Sequence, residues 1–345
     1  MQNNFTAPTN VSATLPIKRV GRFYLTEKIG EGTNGTVYLG HDPVIDRDVA
    51  IKILNTSNNA ADKKQREQQF INEARAAGRL SHPNIITIYD ASSEGGTTFI
   101  AMEFLQGKDL RALLADGKSF DIIETAKVIH KVADALAYAH ANAVIHRDIK
   151  PGNIFILPNQ QPKVVDFGIA RAPNRLLDES RNQGATLFNN NILGTPNYMS
   201  PEQATGKQVS ALTDVYSLGV VMYEMLTRHK PFQAQDIDKL LGLIAHKTPK
   251  SPSEVNPSIP DSLAKIVNKA MQKNPEDRYQ SAGEMASALE RFLERDKKLK
   301  RKRGHTSSSA HAGSMTNTEN SNSWLSWVAV VFAVVAVIAY IFRFH

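Results

Sequence analysis

The chain has 345 residues and no cysteine, which excludes a disulfide framework and a thiolate metal site, and its 41% hydrophobic and 22% charged content is ordinary for a globular core. The formal net charge is +7, but residues 295–303 (RDKKLKRKR) hold seven basic side chains and one acid and so carry +6 of it. Since the basicity is one local block, we expect no nucleic-acid partner; a nucleic-acid or nuclear-import tract is the alternative interpretation of the block.

The N-terminal part of the chain alternates short apolar runs with turns. Residues 1–20 are polar and aperiodic, which predicts a disordered leader. Runs rich in β-branched and aromatic residues then predict strands, with one helix among them. The strands are expected at 22–29, 36–40, 48–54, 85–89 and 98–103, and the helix at 63–80.

The pattern becomes helical after the Gln106-Gly107 turn. Helices are predicted at 110–114, at 122–141 and from about 200 to 294, with a hairpin at 154–157 and 163–165 and a loop-like segment after Asp166-Phe167-Gly168. The predicted fold class is therefore α+β and bilobal, within one domain over 21–295. Residues 21–105 form a β-rich N-lobe with one helix, and residues 106–295 form a mainly helical C-lobe.

The C-terminal composition predicts a linker and then a single membrane-spanning helix. Residues 296–323 are basic and then rich in Ser, Thr and Asn, which is typical of a flexible linker. Residues 324–343 contain an uncharged apolar stretch of eighteen residues, roughly 27 Å of helix, with aromatic residues near both ends. A buried core helix is the alternative interpretation.

The position of the basic block predicts the orientation of this span. Because the block precedes residues 324–343, the positive-inside rule predicts a single-pass cell-membrane protein with both lobes in the cytoplasm and the C-terminus on the far side. Attraction of the block to the anionic lipid bilayer agrees with this orientation. Ala329, Ala333 and Ala336 form a stripe of small residues that would let two spans pair into a homodimer.

A glycine-rich turn joins the first two predicted strands at Gly30-Glu31-Gly32-Thr33-Asn34-Gly35, and Val37 follows it. A lone G-x-G-x-x-G also marks dinucleotide-binding folds, where a helix follows the glycines. Here a strand follows, so the turn is a hairpin tip whose glycines let backbone N–H groups approach phosphate oxygens. A purely structural hairpin is the alternative.

A single lysine, Lys52, lies in the apolar run Val49-Ala50-Ile51-Lys52 just after the glycine hairpin. From there its ammonium group can reach phosphates bound by the hairpin. A buried lysine needs a counter-ion, and Glu73 on the predicted helix is the expected partner. The alternative is a surface lysine with a solvated glutamate.

The stretch His146 to Asn153 (HRDIKPGN) concentrates groups suited to phosphoryl transfer. Asp148 can accept or orient the proton of a hydroxyl group, and Lys150 can neutralise charge on a transferring phosphoryl group. Asn153 offers a neutral oxygen and Asp166 a charged one, both suited to a hard cation such as Mg²⁺. Any one carboxylate alone would be an ordinary loop residue, but this order and spacing favour a catalytic site.

These motifs, in this order, resemble a protein kinase, and within that family the bacterial serine/threonine kinases of the eukaryotic (Hanks) type. The likeness runs from about Arg22 to Leu293 and includes the wording GTPNYMSPEQATG. The matching positions are Gly30–Val37, Lys52, Glu73, His146–Asn153, Asp166–Gly168 and Ser200-Pro201-Glu202.

The resemblance implies an enzyme that uses ATP and Mg²⁺. Asp148, Lys150 and Asn153 would be catalytic, and Asn153 with Asp166 would hold Mg²⁺. It further implies that Glu202 forms a buried ion pair with Arg278 and that Asp214 anchors the catalytic loop. The residues implied to bind the nucleotide are Ile29, Gly30, Glu31, Gly32, Thr33, Asn34, Gly35, Val37, Ala50, Lys52, Glu73, Met102 as the gatekeeper, Glu103 and Leu105.

The resemblance also implies serine and threonine acceptors on protein substrates, because of Lys150 and the segment 194–198 (GTPNY). Arg147 implies contact with an activation-loop phosphate, and we expect autophosphorylation in membrane-proximal signalling. Thr186 and then Ser180 are the candidate phosphosites, whereas Thr195 is expected to contact substrate. A pseudokinase scaffold and a small-molecule kinase are the alternatives; the first would lack one of the catalytic side chains, and all are present.

Overall fold

The structure is a computed structural model that describes residues 18–32, 35–55, 60–167 and 196–310; side chains at 18, 60–62, 73 and 301–310 are outside this description. The chain divides into two units, Met1–Glu294 and Arg295–His345, and both lobes belong to the first unit. The strands are β1 (Lys18–Val20), β2 (Phe23–Gly32), β3 (Gly35–Asp42), β4 (Arg47–Leu54), β5 (Ile88–Glu94), β6 (Thr97–Glu103), β7 (Lys108–Asp109), β8 (Ile154–Ile156) and β9 (Pro162–Val164). The α-helices are α1 (Ala60–Ala77), α2 (Leu110–Ala115), α3 (Ile122–Ala141), α4 (Pro201–Ala204), α5 (Ala211–Thr227), α6 (Ile237–His246), α7 (Pro252–Val255), α8 (Asp261–Ala270) and α9 (Ala282–Ala310).

The N-lobe is an antiparallel sheet with the strand order β1-β2-β3-β4-β6-β5, and α1 packs beside β5 and β6. β2 and β3 form the glycine hairpin, in which Gly32 pairs with Gly35. Only glycine fits at position 35, because a Cβ there would overlap the carbonyl oxygen of Ile53 on β4. The β3 strand of the hairpin therefore passes close to the backbone of β4, the strand that carries Lys52.

The C-lobe is built around α5, whose residues are buried on nearly every side. A helix that is apolar all round belongs in a core, and α5 packs against both α3 and α8. The helix α3 begins at a capping box in which Asp121 and Glu124 satisfy each other's backbone N–H groups. The short sheet β7-β8-β9 packs its buried residues into the same core, and the loop 146–153, which the resemblance identifies as the catalytic loop, leads into β8. The bilobal α+β class predicted from the sequence is confirmed.

The strand predicted at 85–89 is wrong in its position. Residues 84–86 pair with β9 instead, since Val164 N–H donates to the Asn84 carbonyl at 2.8 Å and Ile86 N–H donates to the Val164 carbonyl at 3.0 Å. β5 begins only at Ile88. An apolar run predicts a buried strand but does not say which sheet it joins.

The flexible linker predicted from residue 296 is wrong for its first part, because α9 continues to Ala310. Lysine and arginine are good helix formers, and Lys300 Nζ lies 2.9 Å from Asp296 one turn earlier. Within the residues that the structure describes, no helix is long and apolar enough to cross a membrane. The predicted span at 324–343 lies outside those residues.

Candidate active site

A cleft of about 1000 Å³ is lined by both lobes. Its walls come from the β2–β3 hairpin, β4, the segment after β6 and the loop between α3 and β8. Predicted site residues that lie along it are Ile29, Gly30, Glu31, Gly32, Gly35, Val37, Ala50, Lys52, Met102, Glu103, Leu105, Asp148, Lys150, Asn153 and Asp166. The fold thus brings together residues far apart in the sequence, such as Lys52 and Asp166, which are 114 positions apart.

Other predicted site residues lie outside the described part of the chain. These are Thr33, Asn34, Ser180, Thr186 and Thr195. The backbone of Glu73 belongs to α1, but its side chain is outside the description. The expected pair between Glu73 and Lys52 therefore stays a prediction.

The inner end of the cleft is apolar. Ala50, Ile86 and Met102 are buried against one another, and Val37 and Leu105 border them. Apolar walls of this kind suit a flat aromatic ring such as adenine, whose faces lose contact with water on binding.

Glu103 ends β6 and begins the link between the lobes. Its carboxylate accepts a hydrogen bond from Lys163 Nζ at 2.7 Å and another from the Thr87 N–H at 3.3 Å. Lys163 is buried in β9, so this contact ties the link to the small sheet of the C-lobe. Sequence reasoning missed Lys163, because a partner 60 residues away leaves no local signal.

Lys52 and Asp166 meet across the cleft, with Nζ and Oδ1 2.7 Å apart. Burial alone would raise the pKa of the Asp166 carboxyl, but Lys52 beside it, with His146 and Lys150, holds that pKa below its usual range. Asp166 has a φ of 56°, a left-handed conformation that is costly for a residue with a side chain. The sequence analysis assigned Lys52 to the phosphates and Asp166 to the metal. Since phosphates and metal would bind side by side, that assignment is the signal that could have predicted the contact between the two residues.

Asp148 is held from two sides within its own loop. Its Oδ2 accepts hydrogen bonds from Lys150 Nζ at 2.7 Å and from Asn153 Nδ2 at 3.1 Å, and Asn153 Nδ2 also donates to the Asp148 carbonyl at 2.8 Å. A 3₁₀ turn over Pro151–Asn153 brings the asparagine back to the aspartate. Since the side-chain N–H groups of Asn153 donate to Asp148, the side-chain oxygen of Asn153 is the atom suited to a cation.

The residue before Asp148 is clamped on both of its backbone groups. Arg147 has a φ of 65°, its N–H donates to Asp214 Oδ1 at 2.7 Å, and its carbonyl accepts from Gln203 Nε2 at 2.8 Å. Gln203 also closes the capping box of α4, where its Oε1 accepts from the Ser200 N–H at 3.0 Å. The strained backbone beside Asp148 is therefore held by α4 and α5 together.

Asp214 holds the loop from below, at 0% exposure. Besides Arg147, its carboxylate accepts from the His146 N–H at 2.8 Å and contacts His140 Nε2 at 2.8 Å. The buried His146 ring packs against Phe167 with 4.7 Å between ring centroids. The resemblance implied the role of Asp214, whereas His140 and Gln203 were missed because their contacts depend on how distant helices pack.

Glu202 and Arg278 form a buried bidentate ion pair. Arg278 Nη2 lies 2.7 Å from Glu202 Oε2 and Nη1 lies 2.9 Å from Oε1, and Thr213 Oγ1 donates to the same Oε1 at 2.8 Å. Burial by itself would raise the pKa of Glu202, but Arg278 outweighs it and lowers that pKa. This pair joins the start of α4 to the segment after α8, below the catalytic loop.

Asn153 and Asp166 provide the oxygen donors that a hard divalent cation prefers. The side chain of Asp166 is 44% exposed and lines the cleft. In the part of the chain that the structure describes, no cluster of three or more His, Cys, Asp or Glu side chains is suited to hold a metal by itself. The donor set fits Mg²⁺ that arrives with phosphate oxygens and water to complete its coordination.

Comparisons with known proteins agree with this geometry. A family model described as "Protein kinase domain" matches residues 23–290. The chain is 36% identical to the serine/threonine-protein kinase PrkC of Bacillus subtilis, over 81% of this chain and 42% of that protein. It is also 36% identical to the serine/threonine-protein kinase PknB of Mycobacterium leprae, over 80% of this chain and 44% of that protein.

The likeness extends to a solved structure. A crystal structure of a variant PknI kinase domain from Mycobacterium tuberculosis matches with a TM-score of 0.61 and 26% identity, covering 80% of this chain and 98% of that domain. The chain spans about two fifths of the length of the curated relatives it matches. Since the family model covers both lobes and the cleft between them, this chain belongs to the protein kinase domain family.

Proposed function

We propose that this protein is a serine/threonine protein kinase that transfers the γ-phosphoryl group of Mg-ATP to hydroxyl groups of protein substrates. One observation carries the proposal: Asp148 lines the same cleft as the Lys52–Asp166 pair. There it accepts hydrogen bonds from Lys150 and Asn153. Relatives named as serine/threonine-protein kinases support the choice of acceptor.

The two sides of the cleft divide the reaction between them. Mg-ATP, when bound, supplies the phosphoryl group and its leaving group. Asp148 orients the acceptor hydroxyl and accepts its proton as transfer proceeds. Lys150, which shares the Asp148 carboxylate, neutralises the charge that develops on the phosphoryl oxygens.

The Lys52–Asp166 pair prepares the nucleotide side. At 2.7 Å the two charges neutralise each other, and phosphate oxygens and a cation would satisfy the same two charges. Lys52 would hold phosphate oxygens, while Asp166 and Asn153 would hold the metal. Ala50 and Met102 would cover the base at the apolar end.

The proposal extends to the place where the enzyme works. The apolar stretch within 324–343 and the basic block at 295–303 support a single-pass anchor with the kinase lobes in the cytoplasm. Removal of residues 324–345 is expected to move the protein from the membrane fraction to the supernatant. An unchanged distribution would contradict the anchor.

Autophosphorylation belongs to the same proposal, with Thr186 and Ser180 as acceptors. We expect phosphate at one or both after incubation with Mg-ATP, detected by mass spectrometry. A fully active enzyme that carries no phosphate at Thr186 or Ser180 would contradict the proposed autophosphorylation.

The decisive experiment is transfer of radiolabelled phosphate from ATP to a generic protein substrate. We expect Asp148→Asn and Lys52→Met to lower the rate by about two orders of magnitude or more, since each removes a group that acts on the reacting atoms or the phosphates. Circular dichroism of each variant controls for folding. Equal background labelling by all three proteins would refute phosphoryl transfer and favour a pseudokinase scaffold.

A further inference from the structure

The outer part of the cleft carries a group of basic side chains that the proposed reaction does not use. We call Arg111, Lys118, Arg228 and Lys230 the cationic rim; all four belong to the C-lobe and line the cleft. Arg111 is on α2 and Lys118 follows that helix, whereas Arg228 and Lys230 follow α5. Two chain segments more than a hundred residues apart thus deliver the same charge to one opening.

The carboxylates in this part of the cleft are engaged by their own neighbours. Asp109 caps α2 by accepting from the Ala112 N–H at 2.9 Å, and Glu224 Oε2 accepts from the Tyr198 hydroxyl at 2.7 Å. Arg111 Nε lies 3.7 Å from Asp109, but the Arg111 side chain remains 77% exposed. Both carboxylates keep their negative charges, so the four cations of the rim outnumber them by two.

The cationic rim lies next to the acceptor position. The guanidinium of Arg111 is 3.8 Å from the place that a Cβ of Gly152 would occupy, one residue before Asn153. On the other side, Lys230 Nζ is 5.7 Å from the centre of the Tyr198 ring. The four cations line the same cleft as Asp148, so an acceptor segment that brings its hydroxyl to Asp148 enters a cleft that carries them.

Arg228 is the C-cap of α5 and has a φ of 61°. This left-handed position is one where glycine is usually preferred, because a Cβ there costs energy. Its N–H still closes the helix by donating to the Glu224 carbonyl at 2.7 Å. Glycine would end the helix here with less backbone strain. We therefore attribute the arginine at this position to what its side chain does.

We infer that the cationic rim selects acceptor segments that carry Asp or Glu side chains within a few residues of the Ser or Thr. This inference rests on the proposed function, since it names the substrate class of the same site. Because the four cations line one cleft, their fields add there, and a carboxylate gains more here than beside a single surface cation. Like charges on a basic acceptor segment are repelled by the same field.

The test uses two peptides of equal length with one serine, flanked either by aspartates or by asparagines. Phosphate transfer gives kcat/KM for each peptide, and fluorescence anisotropy gives each affinity without any need for catalysis. We expect the full-length enzyme to prefer the aspartate peptide in both measurements, and we expect salt to weaken the preference. Two rim variants are tested in the same way. Arg228→Gly suits the left-handed backbone, and Lys230→Gln keeps a polar side chain.

Each rim substitution is expected to lower the preference for the aspartate peptide by up to about fivefold, and the double variant by about tenfold. Lys265→Gln, which removes an exposed charge on α8 away from the cleft, is expected to keep the full preference. Transfer to both peptides with equal kcat/KM and equal affinity overturns the inference and leaves the kinase proposal standing. If neither peptide is phosphorylated but the aspartate peptide binds more tightly, the kinase proposal is overturned and the preference for carboxylates stands. A third peptide with phosphoserine in place of aspartate overturns the choice of carboxylates if it alone is preferred.

Discussion

The two sides of the cleft are built differently. On the C-lobe side, the catalytic loop rests on the buried Asp214, on Gln203 and on one continuous apolar core. On the N-lobe side, most of the buried residues fall into three smaller clusters, and the strand that leads into the glycine turn is largely exposed, with Ile29 at 43%. The loop that carries Asp148 is thus supported from beneath, whereas the glycine hairpin is supported along its edge.

This difference agrees with the roles proposed for the two sides. Proton transfer and in-line attack would depend on reacting atoms placed within fractions of an ångström, so Asp148 would need rigid support. Phosphate oxygens would be bound by backbone N–H groups and by the long, flexible side chain of Lys52, which would tolerate small displacements. The following substitutions test whether the two sides respond separately.

The largest expected effect is on the C-lobe side, from Glu202→Gln. The variant leaves the buried Arg278 without its charged partner, so we expect the free energy of unfolding at pH 7 to fall by about 3–5 kcal/mol. Because the folded-state pKa of Glu202 lies below its ordinary value of 4.5, the pair stabilises the wild type above that pH and loses its contribution as pH falls through the folded-state pKa.

Urea unfolding at pH 7 and at about pH 4 measures both effects. The difference between wild type and Glu202→Gln should shrink in acid. Glu276→Gln, at an exposed acid, is the control and should change stability by less than about 0.5 kcal/mol at pH 7. A difference that stays constant with pH would show that the charge of Glu202 is not what stabilises the lobe.

A smaller effect is expected on the N-lobe side from Gly35→Ala. The added Cβ would overlap the Ile53 carbonyl, so β3 or β4 must shift at a cost of about 1–3 kcal/mol. The matched variant is Gly32→Ala, whose Cβ would meet its nearest atom at 3.9 Å and should leave the unfolding temperature unchanged. Thermal unfolding measures the pair; equal effects of the two variants on the unfolding temperature would show that β3 does not pass close to the Ile53 carbonyl.

The smallest of the three effects separates positioning from stability at Gln203. Gln203→Glu keeps an acceptor for the Ser200 N–H, since glutamate is the usual partner in a capping box, but it loses the donor to the Arg147 carbonyl. The lost hydrogen bond is worth about 1 kcal/mol, and the new carboxylate oxygen also faces the Arg147 carbonyl, so we expect kcat to fall at least about fivefold with the KM for ATP unchanged.

Ser200→Ala is the complementary variant, because it removes the cap and keeps the contact with Arg147. It should lower the unfolding temperature with little change in kcat. The inference that Gln203 positions the loop fails if both variants change kcat and unfolding temperature in parallel.

Local sequence patterns predicted the elements whose ends are determined locally. The predicted and observed bounds of α3, residues 122–141, coincide because its capping box and its apolar spacing are both local signals. The strand order and the position of the Ile85 segment depend on pairing between distant residues, and no local pattern specifies them. The helical extension of α9 was missed because a run of basic residues was interpreted as solvated linker, although lysine and arginine also favour helix.

The site divides in the same way. Asp148, Lys150 and Asn153 lie within six residues, so their contacts follow from one turn of chain. The contacts of Gln203, His140 and Lys163 join residues far apart, and each appears only once the helices and strands are packed.

The support of the catalytic loop by Asp214 has a consequence for biosynthesis. The two N–H groups that Asp214 holds belong to residues 67 and 68 positions earlier in the chain. Domains are made from the N-terminus onward, so the chain emerges with His146, Arg147 and Asp148 well before α5 can fold beneath them. A nascent or prematurely terminated chain that ends before α5 would therefore contain every side chain proposed to bind the nucleotide or to act in catalysis, and still lack the support that holds the Asp148 loop.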